Sequence, residues 1–368
     1  MRAVQPTVTV TPSSIANNSL SKVTVQISGL NSGGAVRINR YRDSNGNGQI
    51  DTGEPLVQSV LVTDGQVAKF GGVTDPKIPG DTDSAVNGAI TAKFSISSQA
   101  WTGQLAGSYV IQVVSPTSAF TPVTAVLTVT QPSYPQAVSG QITNGGSPVP
   151  FAGVMLFSQH GDGGLVNGVV ADVNGNYTIQ AAPGTYAIYA GAPGLLGPAQ
   201  FSLPALVAGV NLTGQNISLT AATRTITTQL TAVSGSPALP GVQLYLQSNS
   251  AGLMAFGAAD ATGNVVIPVI AASDWSADAD QNSLDTIGYL PLQNKSGNMD
   301  TTAGNLTLTP STFGEFTPAN AMIYGTLQDS GGNPLSGVGV DDSDAGNIFQ
   351  DDFGTLPSHS ALQRRVLD

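Results

Sequence analysis

Val23-Thr24-Val25-Gln26-Ile27 places an aliphatic side chain at every second position and a polar one between. Successive side chains of a strand point to opposite faces, so this pattern predicts a strand with one buried face. The alternation recurs in Thr7-Val8-Thr9-Val10-Thr11, Lys93-Phe94-Ser95-Ile96, Tyr109-Val110-Ile111-Gln112-Val113 and Val126-Leu127-Thr128-Val129. Turn clusters such as Asn31-Ser32-Gly33-Gly34 separate the runs, and helical spacing is nearly absent. Short strands at this spacing predict an all-β chain of tandem sandwiches, the first of them Ig-like and spanning residues 1–131. The stretch Gln131-Pro132-Ser133-Tyr134-Pro135 closes it.

Composition narrows the setting. A chain of 368 residues is long enough for two to four domains. Its charged fraction of 10% lies far below the roughly one quarter of ordinary soluble domains. The absence of Cys rules out disulfide staples. A net charge of −11 with 12 Lys and Arg argues against nucleic acid, whose binding needs clustered cations. No apolar run is long enough to span a membrane, which argues against direct membrane insertion. The opening Met1-Arg2-Ala3-Val4-Gln5 lacks the apolar core of a signal peptide, and the composition leads us to expect that an export signal has been removed.

An internal repeat follows the first unit. Ala137-Val138-Ser139-Gly140-Gln141-Ile142-Thr143, then Pro150-Phe151-Ala152-Gly153-Val154, then Asp172-Val173-Asn174-Gly175-Asn176-Tyr177 form one series. Thr225-Ile226-Thr227, Leu239-Pro240-Gly241-Val242 and Asp260-Ala261-Thr262-Gly263-Asn264-Val265 form the second. Gly153 to Asp172 and Gly241 to Asp260 are each 19 positions apart, so the copies match without a gap. A third start at Ile323-Tyr324-Gly325-Thr326-Leu327, with Asn333-Pro334-Leu335-Ser336-Gly337-Val338, stops before the Asp-x-x-Gly-Asn turn. The expected units are 136–220, a divergent copy at 222–315, and an incomplete third at 320–368 with an atypical tail. The Pro-x-x-Gly-Val turn, the Asp-x-x-Gly-Asn turn and Pro183-Gly184-Thr185-Tyr186 resemble the carboxypeptidase regulatory-like family, a transthyretin-like β-sandwich. The second copy departs from that pattern at Ala272-Ser273-Asp274-Trp275. The resemblance implies non-catalytic spacer or binding modules on exported bacterial proteins.

The strongest chemical motif is Asp43-Ser44-Asn45-Gly46-Asn47-Gly48-Gln49-Ile50-Asp51-Thr52-Gly53-Glu54. It matches the twelve-residue EF-hand-type calcium loop. Asp43, Asn45 and Asn47 offer side-chain oxygens at positions one, three and five, and Gly48 permits the bend at six. Gln49 offers its backbone carbonyl at seven, Asp51 acts at nine through water, and Glu54 chelates at twelve. The flanks, Val36 to Tyr41 and Pro55 to Val60, alternate as strands, so the loop resembles those set into β domains of exported bacterial proteins. A polar Asn-Gly hairpin with coincidental carboxylates is the alternative. Without a helix pair to open, the expected role of Ca2+ is structural.

Weaker signals have plainer readings. Asp278, Asp280 and Asp285, or Asp341, Asp342, Asp344, Asp351 and Asp352, are acidic enough for further metal sites but lack ordered spacing. His160 and His359 are the only histidines, and no zinc helix, nucleophile elbow or phosphate loop occurs. Trp101, Trp275, Tyr189, Tyr245 and Tyr289 suit sugar stacking, yet aromatics of alternating strands belong more often to cores. The sequence therefore predicts a non-catalytic, extracellular or cell-surface structural or adhesive protein. Its partner would be a protein or polysaccharide at the cell exterior. Three alternatives remain: a carbohydrate-binding accessory region of a secreted hydrolase, a homo-oligomer or filament subunit assembled by strand exchange, and a hydrolase with cryptic carboxylates.

Overall fold

The computed structural model describes residues 5–19, 21–70, 73–74, 78–96, 100–159, 164–199, 201–233, 235–290, 298–310, 314–319 and 330–332. Beyond these it describes four short strands, Met322–Ile323, Gly339–Asp342, Gly346–Phe349 and Ser358–His359. The expected turn at Asn333 to Val338 and the tail from Gln363 to Asp368 lie outside the described residues. The described chain is all-β, with one five-residue helix, α1 (Gln281–Asp285), and one 3-10 turn, Trp101–Gly103. No helix among the described residues is long and apolar enough to cross a membrane.

The first module runs through β1 (Thr7–Thr11), β2 (Ser14–Ala16), β3 (Lys22–Ser28), β4 (Ala35–Asp43) and β5 (Leu56–Thr63). The small hairpin β6 (Lys69–Phe70) and β7 (Val73–Thr74) precedes β8 (Ala89–Ser95), β9 (Gly107–Val114) and β10 (Val123–Thr130). A sheet β1-β3-β8 faces a sheet β2-β10-β9-β4-β5. The alternation seen in the sequence fills the space between them. Val23, Val25 and Ile27 meet Val36, Ile38, Tyr109, Ile111, Val113, Leu127 and Val129 in one buried cluster. Burying side chains of this size contributes roughly 1.5–3 kcal/mol each.

The second module contains β11 (Ala137–Asn144), β12 (Ser147–Pro148), β13 (Gly153–Ser158), β14 (Leu165–Val170) and β15 (Asn176–Gln180). It continues through β16 (Tyr186–Gly191), β17 (Leu195–Pro198), β18 (Ile217–Ser218) and β19 (Thr220–Ala221). The third contains β20 (Arg224–Gln229), β21 (Thr231–Ala232), β22 (Gln243–Ser248), β23 (Leu253–Ala258) and β24 (Asn264–Val269). It ends with β25 (Trp275–Ala279), β26 (Leu306–Thr307) and β27 (Glu315–Phe316). Each module has its own core, centred on Ile142, Leu156 and Ile179 in one and on Leu244, Trp275 and Phe316 in the other.

The two copies share their turn chemistry as well as their spacing. In one, Asp172 Oδ1 accepts from the N–H groups of Asn174 and Asn176; in the other, Asp260 Oδ1 accepts from those of Thr262 and Asn264. Gly175 and Gly263 sit at φ of 71° and 82°. A Cβ there would fall 2.6 Å from the Ile142 carbonyl oxygen or 2.7 Å from that of Leu230. Only glycine fits such a position. A further repeat element is Asn-Leu-Thr, at 211–213 and again at 305–307: Asn211 Oδ1 accepts from Ala137 N–H and Asn305 Oδ1 from Thr225 N–H.

The modules do not hang as separate beads. The turn Trp101–Gly103 and Leu105 leave the first sandwich between β8 and β9 and enter the other two. Trp101 stacks on Tyr245 of the third module with ring centroids 4.9 Å apart, and meets Phe157 of the second edge-on at 4.8 Å. Leu105, Met155, Phe157, Tyr189 and Phe256 complete this apolar cluster. Backbone bonds run alongside it: Ala106 N–H donates to Gly168 O at 2.8 Å, and Val170 N–H donates back to Ala106 O at 3.1 Å. Strand β17 of the second module pairs with β23 of the third, Gly197 opposite Met254.

We expect Trp101→Ala to destabilise the protein by about 2–4 kcal/mol, since it empties an aromatic site. It should also split a single denaturant transition into two, read by circular dichroism. A Gly175→Ala or Gly263→Ala replacement should cost more than about 1 kcal/mol each in the same assay, from strain plus the carbonyl clash.

Candidate functional site

Strand β4 carries its even-numbered side chains into the core and its odd-numbered ones outward, which puts Asp43 on the outer face at the strand's end. The twelve-residue loop begins there and returns the chain to β5. It folds back over the outer face of the sheet. Ser108 Oγ of β9 donates to Asp43 Oδ2 at 2.8 Å, and a Cβ on Gly48 would lie 3.5 Å from Val126 Cγ2 of β10. The loop is thus seated on three strands.

Within the loop, backbone N–H groups fix the oxygens. Asp43 Oδ1 accepts from Asn47 N–H at 3.0 Å and Oδ2 from Gly48 N–H at 2.8 Å. Asn45 Oδ1 accepts from Asn47 N–H, and Asn47 Oδ1 from Gln49 N–H. Glu54 reaches back across the loop, Oε1 accepting from Ser44 N–H at 2.7 Å and Oε2 from Asp51 N–H at 3.0 Å. Asp51 Oδ2 accepts from the side-chain amides of both Asn45 and Asn47 at 2.7 Å. All six expected ligand residues therefore belong to one hydrogen-bonded loop. Asp43 is buried, Glu54 and Ile50 are half-buried, and Asn45, Asn47, Gln49 and Asp51 are exposed. Gly46, Gly48 and Gly53 take φ of 72°, 75° and 94°, the left-handed turns that let so short a segment wrap.

The donor set suits a hard cation. Every side chain offered is a carboxylate or an amide carbonyl, the oxygen-only chemistry that calcium takes at six to eight positions. Among the described residues no three His, Cys, Asp or Glu side chains, the loop's Asp43, Asp51 and Glu54 included, gather closely enough to form a metal cluster by themselves. Asp43 and Glu54 place their oxygens over the loop backbone; Asp43 Oδ2 accepts two hydrogen bonds, while Asp43 Oδ1 and both Glu54 oxygens accept one each and keep a lone pair for an ion.

The second acidic group has a different role from the metal site its composition suggested. Asp278 is exposed on β25, while Asp280 caps α1 by accepting from Ser283 N–H at 3.1 Å. The other Asp280 oxygen accepts from Trp101 N–H at 3.3 Å, tying the third module to the first. Gln243 reinforces this contact, accepting from Thr102 Oγ1 and donating to Val57 O. The side chains of Asp341, Asp342, Asp344, Asp351 and Asp352 lie outside the described residues, as do those of His160 and His359. Of the aromatics weighed for sugar stacking, Trp275 is fully buried in the third core, and Trp101, Tyr189 and Tyr245 line the junction between modules.

Two arginines of β4 escaped the sequence reading, as did the buried Asp64 and Asp81. Arg40 stands in the first core with its guanidinium 5.0 Å from the Tyr109 ring centroid, and burial pushes its pKa down to about 10. Arg42, on the same face of β4, is 6% exposed, and its Nε is buried without a hydrogen-bond partner. Both sit where the alternation demands an apolar residue, which is the signal that marks them.

No protein-family model matches the chain, and no curated protein matches it in sequence. Among solved structures it is similar to the Bacillus anthracis TIE protein, at 9% identity and a TM-score of 0.21 over 96% of this chain and 67% of that one. Shaft pilin SpaA from Lactobacillus rhamnosus GG aligns at 12% identity and 0.19 over 51% of this chain and 98% of that one. A streptococcal ancillary pilin aligns at 9% identity and 0.22 over 78% and 93%. Scores and identities this low carry no argument about function.

Burial, with a smaller contribution from Asp285, pushes the Asp280 carboxyl up to about 6 against the opposing N–H donors. A carboxyl with a raised folded-state pKa holds its proton more tightly folded than unfolded, so ionisation opposes folding. Its contribution is therefore fully present below the unfolded value near about 3.9 and is lost as pH rises through about 6. Relative to Asp280→Asn, the natural protein should lose on the order of 1–3 kcal/mol between pH 4 and pH 7, measured by denaturant unfolding at each pH.

Proposed function

We propose that the chain is a non-catalytic extracellular or cell-surface structural protein whose first sandwich is stabilised by Ca2+. The observation that carries this reading is the loop from Asp43 to Glu54, in which the first and last carboxylates are both drawn over one short stretch of backbone. In this reading Asp43, Asn45, Asn47 and Glu54 hold the ion by side-chain oxygens, Gln49 by its carbonyl and Asp51 through water. The ion supplies charge neutralisation and a cross-link between the ends of β4 and β5. Nothing in the arrangement moves, so the contribution is to stability by mass action. The flanking modules are carboxypeptidase regulatory-like repeats in this account, and their role is to present and space.

Assembly by strand addition is the finer alternative. The outer strand β1 is bracketed by Pro6 and Pro12, and β8 exposes Lys93. Prolines and lysines on edge strands discourage pairing with another chain, so these features favour lateral presentation over strand exchange at the first module.

Chelation with EGTA should lower the melting temperature of the protein, and added calcium should restore it. In Glu54→Gln the calcium increment should vanish while the far-UV spectrum stays that of the natural protein. Identical melting curves with and without calcium would remove the metal from the account.

A further inference from the structure

A cleft of about 380 Å³ opens where the three modules meet. Leu105 and Thr102 of the first module, Met155 and Leu195 of the second, and Phe256 and Val266 of the third form its walls. That volume is within the range of small-molecule sites, and at about 30 Å³ per water-sized group it takes roughly a dozen heavy atoms. The walls are mixed, apolar side chains alternating with Arg42, Glu54 and Asp260, and they come from three sandwiches, so the space is held open by the junction and not by one loop.

Arg42 lies in the wall of this cleft. Its Nη1 stands 3.1 Å from where a Cβ on Gly153 would sit, so the glycine is what lets the guanidinium reach the cleft. A buried cation is costly unless an anion or hydrogen-bond acceptor meets it. Glu54 and Asp260 line the same cleft, and the negative charge of Glu54 acts on the guanidinium, yet neither carboxylate is hydrogen-bonded to it. Glu54 commits its two oxygens to Ser44 N–H and Asp51 N–H. Asp260 Oδ1 is committed to Thr262 N–H, Thr262 Oγ1 and Asn264 N–H. The Arg42 Nε has no hydrogen-bond partner.

We propose that this cleft is a binding site for an apolar chain that ends in a carboxylate, with the carboxylate paired to Arg42 and the apolar body lying against Leu105, Met155 and Phe256. The Arg42 guanidinium, with no carboxylate hydrogen-bonded to it, can take an anion, and the apolar part of the walls suits a hydrophobic body attached to it. A free aliphatic acid and the C-terminus of an apolar peptide share this chemistry. Gly53 and Glu54 of the loop line the cleft, but the calcium reading is tested by melting with and without chelator and the acid reading by titration of Arg42→Gln, so the two fail separately.

Isothermal titration of the full chain tests the proposal, with sodium decanoate and decanol as one pair of probes, and acetyl-Val-Leu-Leu with free or amidated C-terminus as the other. We expect saturable binding of at least one acid, with its neutral counterpart weaker by roughly ten- to a hundredfold, the value of a charge-assisted hydrogen bond. Arg42→Gln should weaken the acid by the same factor. Ala261→Trp, placed at the exposed cleft rim away from the core, should block binding while leaving the melting curve unchanged. Preference for decanoate would identify a free acid as the occupant, and preference for the peptide a chain terminus. Equal binding of acid and neutral probe, binding of neither acid, or full binding by Ala261→Trp would each overturn the proposal.

Discussion

The insertion of Trp101 and Leu105 between the second and third sandwiches is the contact on which the rest of the architecture depends. Each sandwich has its own main core, and apart from Leu196 of β17, which enters the third core, nothing inside a module fixes its neighbours. The junction does. It joins an aromatic cluster, the Ala106 backbone bonds to β14, the β17–β23 pairing and the Asp280 cap on Trp101 N–H. Aromatic pairs contribute roughly 0.5–1.5 kcal/mol beyond the area they bury, and here one indole serves two partner modules at once. The cleft beside Arg42 exists only because these surfaces are held in fixed relation.

The two repeats use equivalent positions against the first module. The glycine that leads into β13 or β22 in each copy faces it: a Cβ on Gly153 would meet Leu105 and Arg42, and one on Gly241 would fall 2.8 Å from Ser59 N. The spacing from each of these glycines to its Asp turn is the same, so the internal repeat serves docking as well as folding. The loop from Asp43 to Glu54 lies over the outer face of the β4 sheet, and its exit at Gly53 and Glu54 reaches the cleft.

Much of this was legible in the residues. Alternation at Val23, Val25 and Ile27 marks a one-sided strand because the period of two is a property of the backbone. The Asp172 and Asp260 turns announce themselves because their chemistry is local, an Asx side chain capping N–H groups two and four residues on. The loop from Asp43 to Glu54 is contiguous for the same reason. The junction was not legible. Trp101, Phe157, Tyr245 and Phe256 are distant in sequence, and no local pattern says that an indole in a turn will seat itself in two other modules. Trp101 and Tyr245 could be weighed only as sugar platforms or core, and they are neither surface nor the heart of a single core. Asp280 read as part of an acidic insertion because the N–H groups it accepts come partly from another module.

Differential scanning calorimetry of the natural protein in calcium-containing buffer tests the locked junction most directly. If the three sandwiches form one cooperative body, their unfolding will appear as one endotherm whose van't Hoff enthalpy matches the calorimetric value. Two or three resolved endotherms, each with the enthalpy of a single sandwich, would contradict it.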